Sequence, residues 1–264
     1  MRIKNTFPLF VLFFAAAFGT SSCEAQNNQQ PSEKSDTIKA VSAPQKKPID
    51  FRIYSNALAA IADTSNIRRF EEEIIKFETE DSVSGFPKNA YLFIGSSSIR
   101  KWHSLQENMK PLQVINRGFG GSTMAEAIYY FPRIVKKYEP EAIILYEGDN
   151  DLSADNLQPE DFFELFKLFT EIRDAYLPNS KLYFLSIKPS PARLQHLEKM
   201  MKANELIRKH SLQHDDIFYI DISSDMFDAD KKIRDELFLK DRLHLNALGY
   251  KLWKDIVRDL LISE

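Results

Sequence analysis

The stretch Ala142-Ile143-Ile144-Leu145-Tyr146-Glu147-Gly148-Asp149-Asn150-Asp151 decides how this chain folds. Its first five residues are apolar without alternation, and Glu147-Gly148 then end the run. A strand apolar at every position is buried on both faces, as in a parallel sheet covered by helices. Helical spacing of apolar residues flanks it, over 123–137 before and 160–176 after. Further out, similar short apolar runs predict strands at Tyr91–Ile94, Leu112–Ile115, Leu182–Ile187 and Ile217–Ile220. Helical patterns recur near 98–106, 193–213 and 246–261, and Ile67, Phe70, Ile74 and Phe77 mark an amphipathic helix ahead of the first strand. Strands alternating with helices predict an α/β domain over residues 50–264, three-layer α/β/α and doubly wound about a five-stranded parallel sheet.

The rest of the chain reads differently. Residues 1–22 carry Arg2 and Lys4, then an apolar run from Phe7 to Phe18, then Gly19-Thr20-Ser21-Ser22. That order is the one found in secretory signal peptides. The run is too short to cross a hydrocarbon core of about 30 Å comfortably, so export with cleavage is expected. Residues 23–49 are rich in Asn, Gln, Ser, Lys and Pro, without apolar periodicity, and read as a disordered linker. The lone cysteine, Cys23, opens that linker and excludes an intramolecular disulfide. Its setting resembles the lipidation site of bacterial lipoproteins, although Thr20 stands where that pattern has an aliphatic residue. The expected location is therefore the cell envelope, tethered to a membrane by lipid on Cys23; free periplasmic or secreted protein is the alternative. A net charge of −3 gives no basic stripe, and no nucleic-acid partner is expected.

In an open parallel sheet, ligands bind beyond the carboxyl ends of the strands, and the chemistry-bearing residues cluster there. After the first strand comes Gly95-Ser96-Ser97-Ser98, where a serine at a tight turn can expose its hydroxyl. Alone, such a cluster more often caps a helix. After the second comes Asn116-Arg117-Gly118-Phe119-Gly120-Gly121-Ser122-Thr123, a flexible turn or a backbone N–H aimed at an anion. After the third, Asn150 can donate its amide into the same crevice. The same segment spaces Asp149, Asp151, Ser153, Asp155 and Glu160 as a calcium loop would, but with Ala154 where the loop needs glycine. Asp151 and Asp155 are better read as stabilising the turn and the helix after it. After the fifth comes Asp241-Arg242-Leu243-His244, an acid three residues from a base, able to fix the imidazole tautomer. The remaining histidines, His103, His196, His210 and His214, read as surface residues.

Together these four segments resemble the blocks of the SGNH (GDSL-like) serine hydrolases, over about residues 90–250. The resemblance implies a flavodoxin-like sheet and a serine esterase or acylhydrolase using Ser97, His244 and Asp241. It further implies an oxyanion hole from the N–H groups of Ser97 and Gly121 and the amide of Asn150. The family's Gly-Asp-Ser is here Gly95-Ser96-Ser97, a change at a position with no triad role. Gly148-Asp149-Asn150-Asp151 and Asp241/His244 match their blocks. The scheme needs no metal and no organic cofactor. The expected substrate is a small-molecule or glycan acyl ester, with deacetylation of a carbohydrate preferred. A lysophospholipase or thioesterase is the neighbouring reading, and a non-catalytic binding lipoprotein on a hydrolase fold lies outside the class. Trp102, Arg117, Glu147 and Arg193 are candidate pocket liners, and Ser186–Pro191 is expected to line the pocket too.

Overall fold

The computed structural model describes residues 50–153 and 157–263. Five strands form one all-parallel sheet: β1 (Tyr91–Gly95), β2 (Val114–Gly118), β3 (Ala142–Tyr146), β4 (Lys181–Leu185) and β5 (Ile217–Ile220). Their order, β2-β1-β3-β4-β5, reverses direction between β1 and β3. That reversal opens a crevice at the carboxyl end of the sheet. The sheet is the three-layer architecture expected from the sequence.

Strict alternation sends successive side chains to opposite faces, and both faces are apolar here. Leu92, Ile94, Ile143, Leu145, Leu182 and Phe184 point to one layer. It holds α1 (Arg52–Ile61), α2 (Glu71–Ser84), α5 (Met124–Tyr129), α6 (Phe131–Ile134), α7 (Pro159–Tyr176) and α8 (Leu197–Ser211). Phe93, Ile144, Tyr146, Tyr183 and Leu185 point to the other. There α3 (Ser97–Arg100), α4 (Leu105–Asn108) and α9 (Ala247–Ser263) pack around Trp102 and Trp253, whose rings meet edge-on at 5.9 Å. A buried tryptophan of this kind is worth about 3–5 kcal/mol against alanine. No described helix is long and apolar enough to cross a membrane.

Several boundaries differ from expectation for identifiable reasons. β2 runs two residues later and takes in Asn116 and Arg117, polar residues that an edge strand tolerates. Asn116 donates to the Ile99 carbonyl at 2.8 Å, and Arg117 is bound by Asp81 and Tyr138. β4 ends at Leu185 because Ser186 and Ile187 find other partners. The Ser186 hydroxyl accepts the N–H groups of Ile222 and Ser223, while Asn204 pairs with both backbone groups of Ile187. Pro132, with no N–H to give, splits the expected helix at 123–137 into α5 and α6. The helix expected at 98–106 is two short pieces, α3 and α4. Ile67 and Phe70 lie in turns ahead of α2, and α1 has no counterpart in the sequence reading.

The signal-peptide, linker and Cys23 expectations, residues 1–49, lie outside the described residues, as does Asp155.

Candidate active site

β1 and β3 lie side by side, with Gly95 registered against Tyr146. A Cβ on Gly95 would stand 2.1 Å from the Tyr146 carbonyl oxygen, and φ is +144°, so only glycine fits. The chain can therefore turn sharply from the strand into α3. Ser96 and Ser98 are buried, whereas Ser97 at the first position of α3 is half-exposed. Of the three serines, Ser97 alone presents itself to solvent.

The partner comes from 147 residues further along the chain. A bridge between Phe238 and Leu245 closes the loop 239–244, and the Leu239 N–H donates to the His244 carbonyl at 2.8 Å. Within this loop Asp241 accepts the N–H groups of Leu243 and His244, which orients its carboxylate, and its Oδ2 lies 2.7 Å from His244 Nδ1. An ionised carboxylate only accepts, so Nδ1 carries the proton and Nε2 is left as an acceptor. Nε2 is 3.1 Å from Ser97 Oγ. Hydroxyl, imidazole and carboxylate, 147 and 3 residues apart in the chain, thus form one hydrogen-bonded line. Desolvation pushes the Asp241 carboxyl up, but the His244 ring and the two backbone donors together outweigh it and hold the group well below the usual carboxylate range. Asp241 is 46% exposed, so solvent screening keeps the energetic value of the pair small.

The Gly-rich loop after β2 approaches from the other side. Gly121 has φ +77°, a left-handed conformation that suits glycine. Among the described residues neither its N–H nor that of Ser97 has a hydrogen-bond acceptor. Four contacts fix this loop: Gly120 N–H to Glu73 at 3.2 Å, Arg69 to the Gly121 carbonyl at 3.1 Å, the Ser122 hydroxyl to Glu147 at 2.6 Å, and the Asn150 amide to the Ser122 carbonyl at 2.8 Å. Asn150 therefore joins the loop after β3 to the loop after β2.

Of the candidate liners, Arg193 touches Asn150 directly, at 2.8 Å. The other three do not line an open crevice. Trp102 is buried in the core, its indole donating to Asn108. Arg117 is held by Asp81 and Tyr138 beside α2. Glu147 is fully buried beneath Ser122. His210 is half-buried, edge-on to Phe163 and Phe166, rather than on the surface. In the calcium-like spacing, Asp149 is turned to Lys188 and Arg193, and Asp151 accepts the N–H groups of Met124 and Gly148. Asp151 thus caps α5 rather than the helix that follows it. The sequence reading missed Arg69 and Glu73, charged residues whose partners lie far away in the chain.

The pattern of the GDSL-like lipase/acylhydrolase family matches residues 91–252. The chain belongs to that family. It is a hydrolase of ester bonds, as GDSL-like acylhydrolases are. No curated protein sequence matches it. Among solved structures it is similar to a GDSL-like lipase from Bacteroides thetaiotaomicron, 18% identical over 76% of this chain and 99% of the other, with a TM-score of 0.62. It is also similar to a mutant of Axe2, an acetyl-xylooligosaccharide esterase from Geobacillus, 11% identical over 65% of this chain and 93% of the other, TM-score 0.53. At these identities the likeness is one of fold. The family match leaves α1 and α2 outside it, although α2 supplies the Glu73 that holds the glycine loop.

Beneath the loop lies an acidic pair with a consequence for stability. Burial, reinforced by the charge of Asp151, pushes the Glu147 carboxyl well above its usual range. Burial also pushes Asp151 up to about 7, against the backbone N–H groups that favour its charge. The folded protein then holds protons that the unfolded chain releases, so stability falls as pH rises from about 4 to about 7. Wild-type Tm is expected to decline between pH 5 and pH 7, and Glu147→Gln should flatten that decline. Parallel Tm profiles for the two proteins would contradict it.

Proposed function

We propose that this GDSL-like acylhydrolase works through an acyl-enzyme on Ser97, with His244 as general base and Asp241 as its orienting acid. The observation that carries this reading is the 3.1 Å approach of His244 Nε2 to Ser97 Oγ while Asp241 occupies Nδ1. As the hydroxyl attacks the acyl carbonyl, its proton passes to Nε2. The imidazolium then protonates the departing alcohol, leaving the acyl group on Ser97. Water gives its proton to the same nitrogen and attacks the acyl carbon; the imidazolium then returns a proton to Ser97 Oγ as its bond to the acyl group breaks and the acid leaves. Negative charge on the carbonyl oxygen is met by the N–H groups of Ser97 and Gly121 and by the amide of Asn150.

The substrate we favour is a short-chain acyl ester of a carbohydrate or other small polar alcohol. Charged and polar groups stand around the site: Asp241 is exposed, and the partly exposed Arg193 bonds Asn150. Burying a long acyl chain there would strip water from those groups at a cost. The similarity in fold to an acetyl-xylooligosaccharide esterase agrees with that preference. The test is a panel of p-nitrophenyl esters from acetate to palmitate, run beside acetylated xylooligosaccharides and a lysophospholipid. We expect acetate release from p-nitrophenyl acetate and from the acetylated xylooligosaccharides, with turnover falling about tenfold or more as the acyl chain lengthens, the scale on which a pocket rejects extra methylenes. Faster turnover of palmitate or of the lysophospholipid would favour the lipase reading.

Export and anchoring at Cys23 are proposed on the order of residues 1–23 alone. Cells fed labelled palmitate are expected to label the wild type and not Cys23→Ala. Equal labelling, or none in either, would remove the anchor.

A further inference from the structure

Arg193 lies in the 3-10 turn Pro191–His196 that precedes α8, and its own backbone, at φ −125° and ψ 28°, departs from that turn. Its guanidinium reaches two neighbours at once. Nη2 donates to Asn150 Oδ1 at 2.8 Å, and Nη1 donates to the carbonyl and the carboxylate of Asp149. A guanidinium has donors and no acceptor, so the amide of Asn150 must turn its oxygen toward Arg193. Its nitrogen then faces the opposite way. One of its hydrogens goes to the Ser122 carbonyl at 2.8 Å, and among the described residues nothing accepts the second.

Arg193 is itself held in place. Asp149 is buried and also bonds the buried Lys188 ammonium, whose ring neighbour is Tyr146. Burial would push the Asp149 carboxyl up, but Lys188 and Arg193 overcome it and hold it down, so the carboxylate is charged. Two cations on one anion leave a net positive charge beside Asn150. One residue away, the Ala192 N–H donates to the Arg242 carbonyl at 3.1 Å, within the loop that carries Asp241 and His244. The segment 188–193 thus spans both halves of the site.

We propose that Arg193 is a positioning residue that fixes the orientation of the Asn150 amide, so that its free N–H faces the acyl oxygen in the transition state. This rests on the oxyanion role of Asn150. A guanidinium forked between Asp149 and Asn150 cannot be replaced by an ammonium, which supplies a point charge without the fork. Without it, the amide is free to rotate and present its oxygen to a developing anion.

A double-mutant cycle on p-nitrophenyl acetate hydrolysis tests this. Arg193→Met is expected to lower kcat about 10²-fold, the scale of a small misplacement of a catalytic contact, with KM changed less than about threefold. Arg193→Gln, which keeps a donor for Asn150 Oδ1, should recover most of that loss. In an Asn150→Ala background, Arg193→Met should cost less than about threefold, because nothing is left to orient. Equal losses in both backgrounds would overturn the proposal, as would an Arg193→Gln variant no better than Met. Should Arg193→Met fail to give a wild-type circular dichroism spectrum, the cycle is run with Arg193→Lys, whose loss must likewise vanish without Asn150. An Asn150→Ala variant with full kcat would instead sink the oxyanion reading itself, an outcome separate from the first two.

Discussion

Ser97→Ala is expected to lose between about 10⁴- and 10⁶-fold in kcat, the range seen when a serine nucleophile is removed. In the proposed scheme the substitution takes away the atom that forms the acyl bond, and no neighbouring hydroxyl can replace it. Ser96 and Ser98 are buried on either side, and the imidazole nitrogen faces Ser97. The fold should be untouched, because the Ser97 side chain makes no structural contact beyond that one bond. Wild-type Tm with hydrolysis at background is the expected pair of results. A serine-directed organophosphate should label the wild type on the peptide containing Ser97 and leave Ser97→Ala unmodified. Retention of more than a tenth of wild-type turnover would end the acyl-enzyme scheme.

Asn150→Ala should lower kcat by about 10²–10³, or about 3–4 kcal/mol of transition-state stabilisation, and leave KM within a few-fold. The asymmetry follows from where the charge is. A ground-state ester oxygen is nearly neutral and loses little when one donor is absent, whereas the tetrahedral intermediate carries a full charge. Asn150 also ties the Ser122 carbonyl, so some loosening of the Gly121 loop adds to the loss. A variant with normal kcat and a greatly raised KM would assign the amide to substrate binding instead.

The sheet was legible because burial on both faces leaves runs such as Ala142–Tyr146 with no polar residue to confuse them. Asp241 and His244 were legible for a different reason: they are neighbours in the chain as well as in space. What stayed hidden depends on pairings across long distances. Nothing in the sequence around Arg193 distinguishes a residue forked onto Asp149 and Asn150 from a solvated one. Trp102 misled because an aromatic residue close to a nucleophile is compatible both with a binding platform and with a core; packing against Trp253 decides for the core. Element ends were blurred where polar side chains replace ladder partners, as at Ser186 and Asn204.

The loop closed by Phe238 and Leu245 carries acid and base together, assembled without help from the serine and with its carboxylate open to water. In the proposed scheme, once an acyl group sits on Ser97, that loop stands ready for whichever hydroxyl arrives next. Nothing among the described contacts of that imidazole selects water over ethanol or a sugar hydroxyl. Product ratios should therefore follow the concentration and affinity of competing acceptors, giving transesterification in alcohol-rich media from the same active centre.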